Sequence, residues 1–211
     1  EYNYTFFGDT NGPITILDEP ANSTIITANT TMLNATATDL SGVSTVTFLY
    51  RQNSTAAWST ACANSTGTGT TYACTWDLTS LPDGDSYEVM AYANDTYGHT
   101  GNNDTHTSIV VDRNPPTAIL ILPAANSTIA IIIEGYTVTA NASEEGIGVN
   151  SVLFEYRENE SETWKYICSD NYSSDGTYSC TWDMTGLSEL ETYEVRASAN
   201  DTLGNIGSYD I

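Results

Sequence analysis

Positive charge is scarce in this sequence: five lysine and arginine residues stand against 27 aspartates and glutamates, a formal net charge of −22 at pH 7. A chain this acidic is not drawn to nucleic acid or to an anionic membrane surface by electrostatics, and the same charge favours solubility. No stretch reaches about 18 consecutive apolar residues, so the sequence offers no membrane-spanning helix. Histidine is limited to His99 and His106. Two histidines in one part of the chain give no support to a hydrolase triad or to a zinc site at the cysteines. The carboxylate groupings Glu144-Glu145 and Asp83-Gly84-Asp85 lack the spacing of an EF-hand loop. Asp112 and Asn114 read as turn residues before calcium ligands. The expectation is a protein that is not an enzyme and holds no metal or cofactor. No segment sustains a period of 3.6 residues, which excludes a helical domain.

What is present is strand-forming. Threonine, valine, isoleucine and tyrosine recur in short alternating runs broken by glycine and asparagine, the composition of an all-β chain. At 211 residues there is room for two domains of roughly 100 residues, each with one modest core. They meet at Ile109-Val110-Val111-Asp112-Arg113-Asn114-Pro115-Pro116, where a β-branched run closes and proline forbids helix and limits pairing. The expected boundaries are a strand over 1–9, one domain over 10–114 and a second over 115–211.

The second half repeats the first. Val152, Phe154 and Tyr156 answer Val46, Phe48 and Tyr50; Trp164 answers Trp58; Asn126-Ser127-Thr128 answers Asn22-Ser23-Thr24. Alternation places strands at Ile14 and Ile16, at Leu33 to Ala37, at Val46 to Tyr50, at Tyr87 to Ala91 and at Thr107 to Val111. Trp58–Cys62 and Tyr72–Leu78 read as a hairpin with Tyr72, Cys74, Trp76 and Leu78 on one side. About seven short strands in about 100 residues is the pattern of a β-sandwich.

The four cysteines divide two per repeat, Cys62 with Cys74 and Cys168 with Cys180, each pair enclosing a turn-rich segment. Disulfides across a hairpin are the expectation, each stabilising by roughly 3 kcal/mol and implying an oxidising, extracytoplasmic setting. Thirteen of the 18 asparagines stand in Asn-x-Ser/Thr, more than the serine and threonine content gives by chance. Turn chemistry is expected to explain Asn94 and Asn200, which sit at equivalent places in Asn-Asp-Thr. Asn3, Asn22, Asn29, Asn34, Asn53, Asn64, Asn103, Asn126, Asn141, Asn159 and Asn171 are the expected N-glycosylation sites.

The combination of Val-x-Phe-x-Tyr-Arg, Trp-Asp-Leu-x-x-Leu-x-x-Gly-x-x-Tyr and Ala-x-Asp resembles the Ig-like, fibronectin-III-related domains of bacterial and archaeal surface proteins. The resemblance implies two tandem Ig-like sandwiches. It also implies that Tyr87, after Leu81 and Gly84, is a corner tyrosine whose hydroxyl ties back to the preceding turn. The second repeat keeps Leu187 and Tyr193 but carries Leu190 at the glycine position, which puts its corner geometry in question. The family fold serves spacers, adhesins and filament subunits alike.

Aligning Asp9-Thr10-Asn11-Gly12-Pro13 with Asp112-Arg113-Asn114-Pro115-Pro116 sets Glu1–Gly8 in the place of a last strand, with Tyr4 and Phe6 where Thr107 and Ile109 stand. After Gly204 the second repeat runs only to Ile211, too short for that strand. A surplus strand and a vacancy predict that Tyr2, Tyr4, Phe6 and Phe7 of one copy complete the second domain of the next, a head-to-tail contact that extends into a filament. Two other readings stay open: the strand completes a preceding domain of one long covalent array, or it pairs within its own chain. The run Ile129-Ala130-Ile131-Ile132-Ile133 is either a strand buried on both faces or a contact with the neighbour. The expected partners are copies of the chain itself and, in an adhesive role, surface glycans met by exposed Tyr97, Tyr166 or Tyr172. The expected location is an extracellular, cell-surface appendage.

Overall fold

The computed structural model describes residues 8–129, 135–173 and 175–211, and in these every regular element is a strand. Two compact units divide the chain, Glu1–Arg113 and Asn114–Ile211. In the first unit the strands are β1 (Ile14–Glu19), β2 (Ile25–Ile26), β3 (Thr30–Thr38), β4 (Val43–Gln52), β5 (Ser59–Asn64), β6 (Thr71–Asp77), β7 (Ser86–Asp95) and β8 (Thr100–Val111). They form a three-stranded sheet, β1-β3-β6, and a five-stranded sheet, β2-β8-β7-β4-β5. In the second unit β9 (Thr117–Leu122), β10 (Tyr136–Ser143), β11 (Val149–Arg157), β12 (Lys165–Asp170), β13 (Thr177–Trp182) and β14 (Glu194–Asp201) form two three-stranded sheets, β9-β10-β13 and β12-β11-β14. Each unit is a β-sandwich.

The alternation seen in the sequence is the alternation of burial. Along β7, Tyr87, Val89, Ala91 and Ala93 are buried while their neighbours face out, because successive side chains of a strand point to opposite faces. The core of the first unit centres on Trp76, whose ring meets Tyr50 at 5.0 Å and Tyr87 edge-on at 6.0 Å. The second unit reproduces this cluster with Trp182, Tyr156 and Tyr193. Tyr72, Trp76 and Leu78 share the inward side of β6 and its extension.

Both expected disulfides are formed, Cys62–Cys74 and Cys168–Cys180, but not across a hairpin. β5 pairs with β4 and β6 pairs with β3, so the chain crosses between the two sheets after β5 and the cystine ties one sheet to the other. Alternation marks strands without saying which of them pair. The first strand begins at Ile14 as expected. Thr15 and Leu17 are the buried side chains of β1, while Ile14 and Ile16 face out at 65% and 52% exposure. Side chains of β8 fix that orientation: Asn102 accepts from the Thr15 amide at 2.8 Å and Asp104 accepts from the Leu17 amide at 3.0 Å. These bonds satisfy backbone groups on the side of β1 away from β3.

The corner tyrosines are present in both units. The Tyr87 hydroxyl donates to the Pro82 carbonyl at 3.3 Å, and that of Tyr193 donates to the Ser188 carbonyl at 3.3 Å while accepting from the Ser188 amide at 2.8 Å. Gly84 takes a positive φ of 81° and Leu190 takes 67° at the same place. The second corner therefore keeps its geometry with a residue that pays a steric penalty for it.

Candidate functional site

Among the described residues the two units differ along the outer edge of β14. In the first unit β8 runs the length of β7, pairing Ala91 with Asp104, Met90 with Thr105, Val89 with His106, Tyr87 with Ile109 and Ser86 with Val110. β2 then lies parallel to the end of β8, Ile25 against Val110 and Ile26 against Val111. Ile109 and Val111 are fully buried and complete the core beside Tyr87.

In the second unit the segment after β14 pairs with it at two bridges in the same register. Asn200 bridges Ile206 and Ala197 bridges Asp210, the counterparts of the pairs made by Asn94 with Thr100 and Ala91 with Asp104. Ala197 and Asp210 exchange both backbone bonds at 2.9 Å. Asp210 also accepts from the Leu120 amide at 2.7 Å, as Asp104 does from Leu17. Among the described residues, none takes the places of Ile109 and Val111, and nothing pairs with Tyr193 or Val195 along this edge. Tyr193 is left half-exposed where Tyr87 is 1% exposed. Trp182 and Val195 are buried beside the half-exposed Tyr193.

The sequence-predicted donor residues Tyr2, Tyr4, Phe6 and Phe7, with Asn3, lie outside the described residues, as do Ile131, Ile132 and Ile133. Of the other sequons, Asn22, Asn29, Asn53, Asn103, Asn126, Asn141, Asn159 and Asn171 are exposed. Asn34 and Asn64 are half-buried, and Asn64 commits its amide nitrogen to the Ala73 carbonyl at 2.7 Å. Asn94 and Asn200 lie in strands, not in turns. The following aspartates make the turns: Asp95 accepts from the amides of Tyr97 and His99, and Asp201 from those of Leu203 and Asn205. Tyr97, Tyr166 and Tyr172 are all exposed.

Asp9, Asp95 and His99 bring ligand-type atoms within 4.8 Å of one another. The Asp95 carboxylate, buried in the turn, is already held by two amides and by the His99 ring nitrogen Nδ1 at 2.7 Å. Burial pushes its carboxyl up, and the bonds from His99 and Tyr97 outweigh burial and hold it below the usual carboxylate range. Turn formation accounts for Asp95 and His99, while Asp9 comes from the segment before β1 and has a buried Oδ2.

The joint is anchored to the first unit by Arg113. Its guanidinium donates to Asp83 at 2.6 Å and to the carbonyls of Leu78 and Leu81 at 2.9 and 2.6 Å, while its backbone amide donates to Asp83 at 3.0 Å. Sequence reading passed over Arg113 as punctuation beside the prolines.

Two immunoglobulin-like families match this chain: the Bacterial Ig domain over residues 13–107 and the Bacterial Ig-like domain (group 3) over residues 70–210. The chain belongs to the Bacterial Ig-like domain (group 3) family. A solved structure of a marsupial T cell receptor is 10% identical, with a TM-score of 0.53, and the match covers 94% of this chain and 71% of that one. This likeness is one of fold. A tetra-tandem repeat from the extending region of a large adhesion protein is 22% identical at a TM-score of 0.41. That match covers 94% of this chain and 48% of the other, so the chain spans about half its length. No curated protein matches.

Proposed function

We propose that this chain is a non-enzymatic structural subunit of an extracellular, glycosylated, pilus-like filament, polymerising when residues 1–8 of one copy add to the open edge of β14 in the next. The observation that supports this reading is register. The tail of the second unit holds Asp210 in the place of Asp104, and aligning Asp9 with Asp112 sets Glu1–Gly8 against residues 104–111. In that register residues 2–8 correspond to residues 105–111, the part of β8 that lies beyond Asp104. Phe6 falls at the position of Ile109, against Tyr193, and its burial contributes about 1.5–3 kcal/mol. Backbone bonds to the free edge supply the rest of the affinity. A contact between unlike surfaces does not close, so it propagates as a thread.

The other features fit a subunit outside the cell. Two cystines tie sheet to sheet, which suits an oxidising compartment, and the eight exposed sequons offer positions for a glycan coat. Deleting residues 1–8 tests the assignment: the shortened chain remains monomeric and does not extend filaments, whereas filaments of normal length from it would refute strand addition. A second reading has the same strand arriving from the preceding domain of one long covalent array, since the same register serves both. Unheated electrophoresis separates them, because donated strands give a ladder that collapses on boiling and a covalent array gives one large species that survives.

A further inference from the structure

The outer face of the sheet β12-β11-β14 carries a groove. Along β14, Glu194, Arg196 and Asn200 face outward and stay partly exposed, yet Ser198, facing the same way, is 3% exposed. Tyr166 on β12 and Ile206 and Tyr209 on the tail overhang it, with Leu153 of β11 as an apolar floor, around a cavity of about 250 Å³.

The duplication provides an internal comparison. By the shared registers, Tyr92 of β7 stands where Ser198 stands, Thr60 where Tyr166 stands, and Asn103 where Tyr209 stands. The first unit therefore has aromatic bulk at the centre of this face and small polar groups at its margins. In the second unit the centre is emptied and aromatic rings stand on both sides. Tyr209 is oriented by Arg196, whose guanidinium lies 3.6 Å from its ring centre and 4.1 Å from that of Trp164, and is held by Glu155 at 2.8 Å.

We propose that this groove is a binding site for a neutral pyranose sugar. A sugar ring has an apolar C–H face that packs on an aromatic side chain and a rim of hydroxyls, and both halves of that chemistry are present here. Tyr166, Tyr209 and Leu153 supply the apolar contact, and the Ser198, Ser169 and Asn200 side chains lie in the same lining. An apolar side chain from another protein would cut the polar groups of this lining off from water without replacing their hydrogen bonds, an unfavourable state. No ionised side chain lines the cavity, and the net charge of −22 disfavours an anionic sugar. The site does not depend on strand addition at the other end of β14.

The test uses the 211-residue chain with methyl glucoside, methyl mannoside, methyl galactoside and, as the anionic probe, glucuronate, each at millimolar concentration in saturation-transfer NMR. Transfer to ring protons of at least one neutral glycoside is expected. Tyr166→Ala is expected to weaken binding about threefold to tenfold, and Ser198→Tyr, which restores the central residue of the first unit, to abolish it. Tyr166 is 64% exposed, so its variant decides the matter even if Ser198→Tyr does not fold. Association of glycosylated chains that free glycoside competes away places the sugar on a neighbouring copy. Binding of free sugar without such association places it on a foreign surface. Transfer to no neutral glycoside, transfer to glucuronate alone, or transfer unchanged in Tyr166→Ala overturns the proposal.

Discussion

Leu190 is the place where this fold carries a removable strain. It holds φ at 67° in the turn before the corner tyrosine, where the first unit has Gly84 at 81°, and its side chain is fully exposed at 104%. A non-glycine residue in the left-handed region costs about 1–2 kcal/mol. Glycine removes that cost but gives the unfolded chain more freedom, worth about 0.5–1 kcal/mol in the opposite sense. No buried contact is lost, so Leu190→Gly stabilises the second unit by about 0.5–1 kcal/mol, or about 2–8 °C in Tm for a domain of this size. The converse change, Gly84→Leu, destabilises the first unit by a similar amount. Each unit has one fully or nearly buried tryptophan at its core, Trp76 and Trp182, so fluorescence-detected unfolding with the pair of variants reports both transitions. A Tm for Leu190→Gly equal to or below that of the parent, with Gly84→Leu tolerated, would refute the strain argument.

Other consequences follow from particular contacts. Arg113→Ala removes the guanidinium bonds to Asp83 and to the Leu78 and Leu81 carbonyls, and is expected to cost the first unit about 2–4 kcal/mol in urea unfolding; a loss below measurement would contradict the anchoring role. Gly207→Ala places a Cβ 1.9 Å from the Pro116 carbonyl oxygen, as Gly101→Ala places one 1.7 Å from that of Pro13. Each is expected to destabilise its own unit by about 1–3 kcal/mol, read as a lowered Tm. Acid is expected to destabilise the protein in a defined window. Asp77 is held below the usual carboxylate range by the Thr79 amide and hydroxyl, Asp183 by the Thr185 hydroxyl and amide, and Asp95 by its turn despite burial. A lowered folded pKa contributes stability that is complete above the unfolded value, near 3.9, and is lost as pH falls through the folded values. Denaturation midpoints unchanged from pH 5 to pH 2 would contradict this.

Most of the fold was legible because period-2 alternation and duplication are both explicit in the residues. Val46, Phe48 and Tyr50 declare an inward face, and Val152, Phe154 and Tyr156 repeat it. Pairing was less legible. Nothing in the alternation of Tyr72, Cys74 and Trp76 says that β6 leaves β5 and joins β3 in the opposite sheet, since that choice is made by tertiary packing. The orientation of β1 was hidden for another reason: Ile14 and Ile16 face out while Asn102 and Asp104, some 87 positions away, bind the amides of Thr15 and Leu17. The groove over Ser198 had a signal, in the exchanges Tyr92 to Ser198, Thr60 to Tyr166 and Asn103 to Tyr209. Only the strand register shows that these three positions lie across one face.

The most direct measurement adds a synthetic peptide of residues 1–8 to the chain lacking those residues and follows amide hydrogen exchange along Thr192–Arg196. Strand addition predicts saturable binding, slowed exchange along that edge, a higher Tm for the second unit only, and loss of all three when Phe6 of the peptide is replaced by aspartate. No slowing at that edge, or equal protection by the aspartate peptide, would contradict the account.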